Sequence, residues 1–144
     1  MSSRALVLVV VFLALQSCAR GNARDVTAEE IALADKRLQG SWLLVDARPN
    51  PPLDGTLDAL MRMQLGTMIL TFDRGTMDAQ GQGIRLRRSY RIIRWEGFGR
   101  VHVELVDETG DRDEVEATFE DDTIRFNGLD YPWRGGGVIK RTKR

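Results

Sequence analysis

A single cysteine, a single histidine and four prolines among 144 residues narrow the chemistry open to this chain. With one thiol there is no intramolecular disulfide and no cysteine-rich zinc module. With His102 alone there is no histidine cluster to hold a catalytic metal, and no Ser-His-Asp, metal-ligand or phosphate-loop spacing can be assembled. Aspartate and glutamate are abundant, so a carboxylate pair stays open, but the expectation is no enzyme, no cofactor and no metal. Charge of one sign is also lacking: 21 basic residues face 21 acidic ones, which gives nothing to recruit nucleic acid or an acidic surface. Nor does any apolar run reach the roughly 18 residues that a bilayer crossing requires.

The chain does have a short apolar run from Ala5 to Leu15, with Arg4 as the only charge before it and the small residues Ser17 and Ala19 after it. That is the layout of a secretory signal. Leu15-Gln16-Ser17-Cys18 resembles the lipobox of bacterial lipoproteins, in which a leucine and a small residue prepare the cysteine for diacylglyceryl attachment. The resemblance implies a signal peptide over residues 1–17, a lipid attached at Cys18, and a membrane partner held through that anchor. The absence of aspartate after the cysteine resembles lipoproteins sorted to the outer membrane, facing the periplasm. Ser17-x-Ala19 also satisfies the general signal peptidase, the alternative that would leave a secreted or periplasmic protein. Loss of the leader removes only Arg4, so the mature chain has one acid more than it has bases. About 125 residues then remain, enough for one domain to bury a core without disulfides. Residues 18–26 are polar and without periodicity, a tether reaching at most about 28 Å, and the domain occupies 27–144.

Thr27-Ala-Glu-Glu30 reads as a capping box opening a helix to about Leu38, with Ile31, Ala34 and Leu38 on one face. Beyond it the apolar period changes to alternation, and turn residues recur every eight to twelve positions, the pattern of an all-β domain. Strands are predicted at 41–47, 67–72, 76–80, 84–95, 100–107, 112–119, 123–127 and 133–141, an antiparallel eight-stranded meander able to close on itself. Asp73-Arg-Gly75, Gly81-Gln-Gly83, Gly97-Phe-Gly99, Thr109-Gly110 and Asn127-Gly128 supply the hairpin turns. Pro49-Asn-Pro-Pro52 ends the first strand, and residues 56–63 form a short lid helix with Leu57, Leu60 and Met61 on its apolar side.

Leu38-x-Gly40-x-Trp42-x-Leu44, the Pro-rich loop, the Leu-Thr-Phe72 strand, the hairpins and a last strand ending in Lys140-Arg141 resemble the lipocalin-like families of bacterial secreted proteins. The resemblance spans the mature chain. It implies that Gly40 and Trp42 sit at the closed end of the barrel, with Arg141 laid over the indole. The Gly135-Gly-Gly137 run departs from that pattern and bears on register and closure.

Residues 84–100 carry Arg85, Arg87, Arg88, Arg91, Arg94 and Arg100 against Glu96, whereas 104–122 carry ten acids against Arg112. The plain reading is cross-strand pairing: with Trp95 opposite Arg100, Arg91 meets Glu104, Arg88 meets Asp107 and Arg87 meets Glu108. The alternative is a basic groove for an anionic partner. Parity places Ile84, Leu86, Arg88, Tyr90, Ile92 and Arg94 on the inner face and His102 on the outer one. Arg88, Tyr90 and Arg94 are therefore the candidate residues for holding the anionic head of an apolar ligand, unless Arg88 merely pairs with Asp107 at the rim. Two functions are carried forward: a non-catalytic envelope lipoprotein binding a small apolar or amphipathic ligand, or an interaction module with a filled barrel and an envelope protein as partner. A barrel packed with Trp42, Phe72, Phe119, Phe126 and Trp133 favours the second.

Overall fold

The computed structural model describes residues 27–143. Helix α1 covers 27–38 and leads directly into β1 (Gly40–Pro49). Then follow α2 (Gly55–Gln64), β2 (Ile69–Asp73), β3 (Thr76–Gln80), β4 (Arg85–Gly97), β5 (Arg100–Val106), β6 (Arg112–Glu120), β7 (Thr123–Leu129) and β8 (Gly135–Arg141). Each strand pairs antiparallel with the next, and β8 returns to β1, so the meander is a closed eight-stranded barrel. Closure leaves no free sheet edge among these strands.

Alternation in the sequence becomes inside and outside of the wall. Val101, Val103 and Leu105 of β5 and Val115, Ala117 and Phe119 of β6 are buried, while His102, Glu104, Glu114 and Glu116 between them face outward. The up-and-down order assigns the two ends. The β2–β3, β4–β5 and β6–β7 turns lie together at the end covered by α1. The other end gathers α2 and the β3–β4, β5–β6 and β7–β8 connections.

The three consecutive glycines close the barrel rather than breaking it. A Cβ on Gly135 would lie 2.4 Å from the Arg48 carbonyl oxygen, on Gly136 2.2 Å from that of Phe126, and on Gly137 2.5 Å from that of Asp46. Only strand residues without side chains let β8 approach β1 and β7 this closely. Two irregularities in β4 also matter. The β4–β5 turn is tighter than expected, with Gly97 rather than Trp95 opposite Arg100, and register shifts at Ile92/Arg94 and Trp95/Gly97 absorb the difference. Arg91 still meets Glu104, as expected. Past the first shift, however, parity inverts: Arg94 pairs with outward-facing His102, and Trp95 pairs with buried Val101.

Candidate functional site

The resemblance-derived foundation is assembled at the α1 end. Trp42 and Arg141 are directly opposed across β1 and β8. The Arg141 guanidinium lies 4.2 Å from the centre of the Trp42 ring, and the indole, 1% exposed, donates its own N–H to the Leu38 carbonyl at 2.8 Å. Arg141 also donates to the main-chain carbonyls of Gln39 at 3.0 Å and of Arg37, satisfying the end of α1. Gly40 adopts φ +108, and a Cβ there would come within 3.1 Å of the same guanidinium. One cation therefore fixes the helix, the first strand and the last strand.

Tyr90 belongs to this end as well. Its hydroxyl donates to Asp35 Oδ1 at 3.0 Å and accepts from Gln39 Nε2, while its ring meets Phe72 edge-on at 5.2 Å. Burial raises its phenol above the ordinary 10.0; the bond from Gln39 pulls it back down, and Asp35 adds to the rise.

Arg88 is buried, as parity required, but lies toward the opposite end. It donates to Asp113 Oδ2 at 3.2 Å and to the Tyr131 carbonyl at 3.0 Å, and sits 5.9 Å from the Tyr131 ring. Arg88 and Asp113 are 7% and 14% exposed, so this ion pair is largely shielded from water. Asp113 also accepts from the Asp130 amide at 3.2 Å. The expected rim pair with Asp107 gives way because Asp107 serves its own turn: it accepts from the Thr109 hydroxyl at 2.7 Å and from the Thr109 and Asp111 amides. Those bonds, led by the Thr109 hydroxyl and supplemented by the charge of Arg88, lower the Asp107 carboxyl below its usual range. Arg87 lies opposite Asp78 of β3, whereas Glu108 sits in the β5–β6 turn.

Arg94 is corrected outright. The register shift before it places it on the outer wall, where it bonds Glu114 at 2.7 Å and His102 Nδ1 at 3.1 Å. The arginines of the 84–100 stretch are spread over acids rather than lining a groove: Arg91 bonds Glu104 at 2.9 Å, a carboxylate that Arg112 of β6 also approaches at 3.3 Å, and Arg100 lies 3.7 Å from Glu116. Arg91, ahead of Arg112, holds the Glu104 carboxyl below the usual range. Donor atoms of Glu96, His102 and Glu116 lie within 4.8 Å of one another, a set able to accept a cation, although Arg94 and Arg100 already balance these carboxylates.

The barrel interior holds a cavity of about 90 Å³, against about 150 Å³ for a void that holds benzene. Its walls are apolar, from residues such as Met68, Leu86, Leu105, Val115 and Trp133, with Arg88 the one charged contributor. Trp42, Phe72, Phe119 and Trp133 are buried and Phe126 packs against them. Among the described residues no buried side-chain nitrogen or oxygen lacks a hydrogen-bond partner. Arg88, Tyr90 and Arg94 are thus divided between the cavity wall, the α1 end and the outer surface.

Helix α2 also differs from expectation. Its Gln64 is buried, clasping the main chain of Gln82 with Nε2 to the carbonyl at 2.8 Å and the amide to Oε1 at 2.9 Å. Met61 packs against the core, but Leu57 and Leu60 point to solvent together with Met63.

Residues 1–26, on which the expected leader, the Cys18 attachment and the tether fall, lie outside the described residues. Among those described, no helix is long and apolar enough to cross a membrane. No protein-family model, curated protein or solved structure matches the chain.

Proposed function

We propose that the protein is a non-catalytic lipoprotein of the cell envelope, lipocalin-like in architecture, whose filled barrel is a scaffold for contact with an envelope protein. The observation that carries this reading is the interior. A void of about 90 Å³ is far below the roughly 300 Å³ and more of ordinary small-ligand sites, and the one cation that could hold an anionic head is already bound to Asp113. His102, the sole histidine, faces Glu96 and Glu114 through its two ring nitrogens on the outer wall, on the opposite side of β5 from the cavity-lining Val103.

The contact surface fits α2. Leu57, Leu60 and Met63, at i, i+3 and i+6, form a half-exposed apolar stripe, while Met61 packs on the core and Gln64 anchors the last turn, so α2 carries more apolar surface than its own core covers. Such a stripe suits an apolar groove on a protein partner. A photoreactive residue at Leu60 should give one adduct of defined mass in the native envelope, suppressed by Leu57→Asp, with none from the same residue at Arg85. Equal adducts from both positions, or none, would remove the assignment.

The cavity favours a second reading in one respect: its apolar wall runs to Tyr131 and Pro132 at the open end. Displacement of that segment would enlarge it for a small apolar ligand.

A further inference from the structure

At the tip of the β4–β5 hairpin stands a residue that neither the backbone nor the packing calls for. Phe98 occupies the first central position of a two-residue turn with φ +53, followed by Gly99 at +71. That turn type favours Asn-Gly, because a residue with a bulky side chain is strained at positive φ. Two other turns at this end behave differently. Arg74, also at positive φ, donates its amide to Gln39 Oε1 at 2.9 Å, and Asp121 is a residue type that tolerates the conformation. Phe98 is fully exposed and has neither justification.

Beside it lies Leu33 of α1, 61% exposed, and a shallow hollow between the helix and the hairpin is lined by Glu30, Leu33, Ala34, Trp95, Phe98 and Phe119. Glu30 belongs to the first turn of α1, so the chain enters the described domain on the side where Phe98 projects. Eight residues lie between Cys18 and Thr27, a reach of at most about 28 Å.

We propose that the α1 end of the barrel docks on a phospholipid leaflet, Phe98 and Leu33 entering its interfacial layer next to the acylated N-terminus. This rests on the lipoprotein reading. An aromatic and a leucine side chain inserted together suit the apolar side of an interfacial contact. At this end Arg74 pairs with Asp73, Arg100 with Glu116 and Lys140 with Asp122, and Arg37 lies over the Phe119 ring, so the contact depends on apolar insertion and responds little to salt. With α1 against the leaflet, α2 at the opposite end points away from it.

The test uses the full mature protein in vesicles of phosphatidylethanolamine and phosphatidylglycerol. With Cys18 acylated, Phe98→Cys and Tyr131→Cys each present one free thiol for an environment-sensitive fluorophore. Intact mass establishes acylation separately. The expected result is a blue-shifted, several-fold brighter label at 98, quenched by lipid-borne quencher and protected from aqueous iodide, with the label at 131 in water. An acylated protein whose label at 98 remains aqueous overturns the docking face and leaves the anchor standing. A missing acyl mass overturns the anchor reading and the docking with it. A shift at 98 that persists without lipid and grows with protein concentration shows a second copy on this face, and also overturns the proposal.

Discussion

Asp113 is the counter-ion of Arg88, reaching it from β6 at 3.2 Å inside the barrel mouth. The pair shares a task, since Arg88 holds the Tyr131 carbonyl and Asp113 the Asp130 amide, tying the β7–β8 connection across the opening. Removing one partner strands the other. Asp113→Ala should cost about 3 to 5 kcal/mol in urea unfolding, whereas Arg88→Met with Asp113→Leu should recover most of that loss. Equal losses in the single and double variants would show that the pair does not act as a unit.

Trp42 and Arg141 should be coupled in the same way at the other end. Trp42→Ala empties a buried indole site and should cost about 3 to 5 kcal/mol. Arg141→Ala should cost less, and a double-mutant cycle should show a coupling of about 1 kcal/mol or more. Additive losses would reject the stacking as an energetic interaction.

Alkali should find the Tyr90 cluster. Burial raises the phenol above 10.0, so the unfolded chain releases this proton first and binds fewer protons than the folded one. Stability contributed by Tyr90 is therefore fully present below about pH 10 and falls as the pH rises from there toward the raised value. Tyr90→Phe should flatten this part of the stability profile relative to the parent, at a cost near neutrality of about 1 kcal/mol for the lost hydrogen bonds. An unchanged alkaline slope would contradict the assignment.

Phe98→Asn should raise stability by about 1 kcal/mol, because asparagine suits the positive φ of the turn and nothing packs on the ring. Thermal unfolding of the parent and variant checks this. A loss of stability would mean that the phenyl ring supports the fold.

The barrel was legible in the sequence because its signals are local and repeated: alternation, turn residues at short intervals, and a capped helix before them. The Trp42–Arg141 pair was legible through the Gly40-x-Trp42 pattern and the basic end of the last strand. Arg94 was not, because parity holds only while the register is unbroken, and nothing in Ile92-Ile93-Arg94 announces the shift. Asp113 shares the inward parity of Val115, Ala117 and Phe119, the sequence signal that sets it inside with Arg88. Tyr90 and Arg88, two residues apart on one face, were expected to converge on a ligand. Their partners, Asp35 and Gln39 for one and Asp113 for the other, come from distant parts of the chain and draw them toward opposite ends. Of the expected apolar side of α2 only Met61 meets the core; Gln64, on that same side at i+4 from Leu60, is buried because it binds the Gln82 backbone, while Leu57 and Leu60 nearer the start of the helix stay exposed.

Whether the barrel is a filled scaffold or a carrier is tested most directly by native mass spectrometry of the protein purified from the cells that make it, compared with its mass after denaturation. The filled interior and the occupied Arg88 lead to one result: the covalent mass is the same in both states, and no small molecule leaves when the barrel opens. Release of a stoichiometric apolar or amphipathic molecule, lost in the Arg88→Met variant, would contradict that result and make the cavity the functional site.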